Sequence, residues 1–178
     1  MFKIIVLPLS GVLASAAQLQ IPMEAFMKVA PKESLVKMQL HGSRLGSTAS
    51  GVSWSECPSL HVYDVATGTA TPNPPVVGDF VGLNLDVIFN GDAYVVGNYI
   101  NVAFTAEGST TPIALYAQDF NSQQPGAYGA GDEYTDKLNW LVPSFAPLGH
   151  YKVQITVHGA SLATDNYACL YADFDIHA

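Results

Sequence analysis

The stretch Val81-Gly82-Leu83-Asn84-Leu85-Asp86-Val87-Ile88-Phe89 alternates large apolar side chains with mostly small or polar ones. Successive side chains on a strand point to opposite faces, so Val81, Leu83, Leu85, Val87 and Phe89 share one apolar face. The same alternation recurs at Ile100, Val102 and Phe104, at Tyr151, Val153, Ile155 and Val157, and at Ala168, Leu170, Ala172, Phe174 and Ile176. Turn-forming clusters separate these runs: Pro72-Asn73-Pro74-Pro75, Asn90-Gly91-Asp92, Glu107-Gly108-Ser109, Pro147-Leu148-Gly149 and His158-Gly159. No long helix is expected after Gly51. One-faced strands at this spacing predict an all-β fold, an immunoglobulin-like antiparallel β-sandwich over residues 52–178.

Two stretches break the pattern. Residues 119–131 (DFNSQQPGAYGAG) are rich in Gly, Gln and Ser and too long for a hairpin turn, so they read as a functional or disordered loop. Trp140-Leu141-Val142-Pro143-Ser144-Phe145 follows. Pro143 and Pro147 argue against a central strand there and for an apolar loop at one end of the sandwich.

Upstream, residues 1–17 read as a secretory signal peptide. Lys3 supplies the positive start, the run from Ile4 to Leu13 the apolar core, and Ala14-Ser15-Ala16 the small-residue cleavage site. Residues 18–51 form a basic, flexible extension or propeptide. They hold Lys28, Lys32, Lys37 and Arg44, a short helix expected over 32–41, and a Gly/Ser-rich linker at 42–51. Export would place the protein outside the cell or in an endolysosomal or vacuolar lumen, as a monomer.

The chain has 178 residues, of which 12% are charged. From Gly51 onward two basic side chains, Lys137 and Lys152, stand against thirteen carboxylates. Such a surface repels nucleic acid, which is bound through clustered Lys and Arg that displace counterions. The two cysteines, Cys57 and Cys169, allow one intramolecular pairing, with two free buried thiols as the alternative. Pairing would close a loop of about 110 residues, worth roughly 4 to 5 kcal/mol in the chain-entropy model.

Catalytic and metal-binding patterns are missing. The chain has no Gly-x-Ser-x-Gly elbow, no His-Glu-x-x-His and no glycine loop opening a phosphate-binding helix. The five histidines (41, 61, 150, 158 and 177) are scattered, and no metal or cofactor is expected. His158 falls on the polar side of its strand and reads as solvated. Asp173 and Asp175 share a strand face and read as outward, solubilising acids rather than a glycosidase pair. Tyr167, two residues before Cys169, matches an immunoglobulin corner. Trp54, however, precedes Cys57, and Trp140 comes too late for the buried tryptophan of a true immunoglobulin domain.

Ser53-Trp54-x-x-Cys57 on the first strand, the proline-rich turn at 72–75, Gly149-x-Tyr151-x-Val153 and the final strand through Cys169-Leu170 together resemble the ML lipid-recognition domain. That family includes the ganglioside activator protein, the Niemann–Pick sterol carrier and the mite group-two allergens. The resemblance covers residues 52–177. It implies two sheets that splay around an apolar cavity, a Cys57–Cys169 bridge between first and last strands, and non-enzymatic binding and transfer of a sterol, phospholipid or glycolipid with transient membrane contact. Members usually carry further cysteine pairs, one of them bracing the cavity-side loops; this chain has none, so the loops at 108–113 and 119–131 are unbraced. On this reading Leu85, Val87, Phe89, Ile100, Val102, Phe104, Val153, Ile155 and Val157 line the cavity. Trp140, Val142 and Phe145 form its mouth. The competing expectation is an exported recognition or structural module with a solid core, presenting Tyr63, Tyr94, Tyr99 and Tyr171 to partners.

Overall fold

A computed structural model describes residues 19–21, 47–58 and 62–178. The leader expected at 1–17, the helix expected over 32–41 and the start of the linker lie outside these residues. The strands are β1 (Leu19–Ile21), β2 (Thr48–Ala49), β3 (Ser53–Glu56), β4 (Tyr63–Thr71), β5 (Phe80–Phe89), β6 (Ala93–Ala106), β7 (Ile113–Tyr128), β8 (Glu133–Leu141), β9 (Gly149–His158) and β10 (Asn166–His177). None of the described residues is helical.

The strands form two sheets. One runs β1-β8-β5-β4; the other runs β2-β10-β9-β6-β7, with β3 also paired to β10. Apart from β1, which lies parallel to β8, the pairings are antiparallel. The architecture is the expected β-sandwich. Short turns keep β4–β5, β6–β7 and β9–β10 as neighbours within a sheet, while the connections after β5, β7 and β8 cross between sheets.

The alternation predicted for β5 holds along its length: Val81, Leu83, Leu85, Val87 and Phe89 are buried, with Gly82, Asn84, Asp86 and Ile88 only half-buried. This face joins Ile100 and Val102 of β6, Val153 and Ile155 of β9 and Leu170 of β10 in one continuous core. Burial of each large aliphatic side chain is worth about 1.5–3 kcal/mol, so the two inner faces hold the sheets together.

Cys57 and Cys169 form a disulfide with Cα atoms 5.3 Å apart, as the family resemblance implied; the free-thiol alternative falls. The bridge ties the residue after β3 to β10, reinforcing the Cys57 N–H bond to the Cys169 carbonyl. Cys169 is on the outer face of its strand, where Thr156 donates a hydrogen bond to its Sγ at 3.2 Å. Trp54 of the same Trp-x-x-Cys segment lies over Gly68 of β4, on the other sheet. A Cβ at position 68 would collide with the indole, so the glycine is what lets Trp54 close this side of the sandwich.

Four expectations change. Residues 119–131 are mostly strand: β7 runs unbroken through Gln123, Gln124 and Pro125 to Tyr128. Pro125 is tolerated because β7 is an edge strand and needs no second ladder. Trp140 is not in a loop but on β8, between β1 and β5, paired with Ile21 and Val81. His158 is buried rather than solvated. Its ring lies across Gly97 of β6, where a Cβ would come within 2.7 Å, and reaches Asp119 of β7 at 2.7 Å. Tyr63, expected to face outward, is also buried.

Candidate interior polar site

The interior is graded from end to end. At one end Trp140 of β8 crosses to Tyr151 of β9 and Phe174 of β10, with ring centroids 5.9 and 5.5 Å away. Tyr151 stacks on Phe174 and meets Phe104. At the other end Phe89 gathers Tyr128, Tyr134 and Tyr167 around it. Between these aromatic ends lies an aliphatic waist that includes Leu83, Leu85, Ile100, Val102, Val153 and Ile155.

The sequence-predicted lining residues therefore sit together. Leu85, Val87, Ile100, Val102, Val153, Ile155 and Val157 are buried on inner faces, Phe89 belongs to one aromatic end and Phe104 to the other. The expected mouth divides. Trp140 is 1% exposed within the core, Val142 is fully buried just past β8, and Phe145 is half-buried in the 142–148 connection.

What the sequence did not single out is a polar cluster at the Tyr134 end. The inner face of β8 presents Tyr134, Asp136, Leu138 and Trp140 at alternate positions, which places a carboxyl where the pattern calls for an apolar group. Asp136 is 2% exposed. Its Oδ1 accepts the Lys137 backbone N–H at 2.9 Å; its Oδ2 has no hydrogen-bond partner among the described residues. Burial pushes the Asp136 carboxyl up to about 6, against a smaller downward pull from the Lys137 N–H.

Beside it, the Tyr134 hydroxyl donates to Asn98 Oδ1 at 3.0 Å. Having spent its only proton, it accepts from Ser122 Oγ, also 3.0 Å away. Ser122 in turn accepts the Gln124 backbone N–H. Burial first, and the Asp136 charge second, push the Tyr134 hydroxyl well above the ordinary phenol range. Asn98 is fully buried and its Nδ2 is also without a partner among the described residues. A register shift between Val95 and Gly97 turns Asn98 inward, so that it follows Val95 on the core face.

The outer face of the six-stranded sheet carries a second polar group. His150 is held between Asp173 Oδ1 at 2.9 Å and Asp175 Oδ1 at 3.1 Å. Lys152 approaches Asp173 at 3.5 Å and lies over the Tyr171 ring. The two aspartates are thus engaged with a histidine rather than simply solvated. A cleft of about 250 Å³ adjoins them, lined by Thr105, Glu107, Ser109, His150, Asp175 and His177 among others. No metal-ligating cluster occurs among the described residues.

A Dictyostelium discoideum protein named "Putative phosphatidylglycerol/phosphatidylinositol transfer protein" is 30% identical over 102 residues, covering 57% of this chain and 68% of the relative. The chain belongs to its family. A second Dictyostelium discoideum protein of the same name is 24% identical over 133 residues, covering 69% of this chain and 82% of its own. No family model matches the chain. Among solved structures, the C-terminal domain of wzt is 13% identical, with a TM-score of 0.41, covering 75% of this chain and 78% of that one.

The raised Asp136 carboxyl has a measurable consequence. Between about pH 4 and pH 6 the unfolded chain gives up this proton while the folded chain keeps it. Stability therefore falls as pH rises through that window, by about 3 kcal/mol in total at 1.36 kcal/mol per pKa unit, and the loss is complete above it. Asp136→Asn removes this contribution. Urea unfolding at pH 4, 5, 6 and 7 is expected to show the variant gaining on the wild type by about that amount across the series; parallel curves would show that the carboxyl is not desolvated.

Proposed function

We propose that the protein is a non-enzymatic lipid carrier of the ML type, taking the apolar part of a sterol, phospholipid or glycolipid between its two sheets. The kinship with a protein named for phosphatidylglycerol/phosphatidylinositol transfer carries the reading. The chemistry of the interior supports it. Two facing sheets supply a long aliphatic waist, and each buried CH₂ of a guest tail would be worth about 0.8 kcal/mol there. The Cys57–Cys169 bridge suits an exported protein, either secreted or lumenal, with residues 1–17 as its leader. Transient membrane contact would use the turn where Val76 and Phe80 are exposed and the Gly78 N–H donates to the Val142 carbonyl.

The competing reading, a solid-cored recognition module, has one observation in its favour. The rings of Trp140, Tyr151 and Phe174 already touch across the sheets, so a guest must part them or occupy the waist between the aromatic ends. Two measurements decide. Native mass spectrometry of protein purified from its own host, followed by lipid extraction, is expected to find a bound lipid. Transfer of labelled phosphatidylglycerol, phosphatidylinositol or sterol between vesicles is expected to rise with protein concentration. Failure to carry or to load any of these lipids would leave the module.

A further inference from the structure

We infer that the Asn98–Ser122–Tyr134–Asp136 cluster is an interior subsite for an uncharged, lipid-borne hydroxyl, with Asp136 Oδ2 accepting its hydrogen bond and Asn98 Nδ2 offering one in return. The inference rests on the carrier reading and narrows it to a chemical class of guest. A carboxylate oxygen and an amide nitrogen, both buried and both without a partner among the described residues, are costly in an apolar core. The rest of the cluster is satisfied: Tyr134 and Ser122 use their hydroxyls on each other and on Asn98 Oδ1. What remains is one unused acceptor on Asp136 and one unused donor on Asn98, whose Oδ1 takes the hydroxyl of Tyr134, the neighbour of Asp136 on the inner face of β8. A hydroxyl group can both donate and accept, so its chemistry suits either.

The site is also selective by charge. Among the described residues no cation faces Asp136. The strand neighbours on its own face are Tyr134 and Leu138, and its partner across on β5 is Leu85. Lys137 is on the opposite, exposed side of β8. A phosphodiester brought to Asp136 would meet a buried carboxyl and no counter-charge, whereas a neutral hydroxyl meets an acceptor. The same chemistry is offered by the single hydroxyl of a sterol and by the polyol headgroup of a glycerol- or inositol-bearing lipid.

The cluster is placed where a guest can reach it. β7 is the edge of its sheet, and β1 pairs with β8 at residues 138–140 only, so among the described residues nothing pairs with β8 over 133–137 on the side away from β5. There the two sheets are joined side by side through Gln123 Nε2, which donates to the Lys137 carbonyl at 3.3 Å. Ser122 and Asp136 flank that hydrogen bond along β7 and β8, and Ser122 adds a second link through the Tyr134 hydroxyl.

The test uses matched lipids. Affinities of the full-length protein are measured for cholesterol against its 3-O-methyl ether, and for phosphatidylglycerol against phosphatidylethanol, which lacks the headgroup hydroxyls. The wild type is expected to prefer the hydroxyl-bearing member of one pair by about tenfold or more, since an unpaired buried polar group penalises the analogue. The pair that discriminates identifies the source, sterol or polyol headgroup. Asp136→Leu, which removes a buried charge from an apolar site, is expected to lose that preference while still binding the methylated or hydroxyl-free lipid. Asp136→Asn keeps the shape should the leucine variant fail to fold, and is expected to reduce the preference. Binding of both members of each pair with equal affinity by the wild type overturns the subsite and leaves the carrier standing. Binding of none of the four lipids overturns the carrier reading and the subsite with it.

Discussion

Replacing Cys57 and Cys169 together by alanine is expected to lower stability by about 4 to 5 kcal/mol, the chain-entropy value for a cross-linked loop of this size. The bridge spans a sequence separation of 112, nearly the whole described domain, so its loss frees most of the unfolded chain. The folded side of the balance also changes. β3 is four residues long, and only Trp54 on it is half-buried; the disulfide anchors its end directly to β10. The double variant avoids leaving one reactive thiol. Urea unfolding of the wild type, the double variant and the reduced wild type is expected to give two low midpoints that agree with each other and one high one. A loss below about 1 kcal/mol would mean that Trp54 packing on Gly68 holds this edge alone, and that the unfolded chain is already constrained.

How much of this was legible in the sequence follows from how each strand is buried. β5, β9 and β10 show one apolar and one mixed face, so a period of two exposes them directly. The edge strand β7 does not, because most of its residues are exposed and its composition resembles a loop. β8 was hidden for the opposite reason. Its inward series reads Tyr134, Asp136, Leu138, Trp140, and a carboxyl at an inward position breaks the apolar alternation. Pro143 then suggested an early end to any strand, although the strand closes at Leu141, two residues before it. His158 was misread because its burial depends on Gly97, sixty-one positions earlier, and no local pattern reports such a contact. The inward positions of these apolar strands were legible because a buried apolar face needs only a period. The polar cluster was not, because Asn98 faces inward only through a register shift and Asp136 declares itself only when its surroundings are known. Local rules failed at the point where the interior departs from an ordinary core, which is where a functional site is expected to break them.

Trp140→Ala is expected to cost about 3 to 5 kcal/mol, the range for deleting a fully buried aromatic ring. The indole is the piece of the four-stranded sheet that reaches Tyr151 and Phe174 on the other, so its removal opens a hole between sheets rather than within one. The fate of that hole separates a solid core from a carrier. In a solid core the space stays empty, the surrounding rings relax only partly, and added lipid leaves the loss unchanged. In a carrier the enlarged interior admits more of a guest tail. A ligand that binds only the folded state stabilises it by RT ln(1 + [L]/Kd), about 2.7 kcal/mol at a hundredfold excess over Kd. Unfolding of the variant with and without saturating phospholipid vesicles is therefore expected to show part of the deficit restored, with the recovered part growing with acyl-chain length. A deficit identical in the presence and absence of every lipid tested would mean that nothing but side chains occupies the space between the sheets.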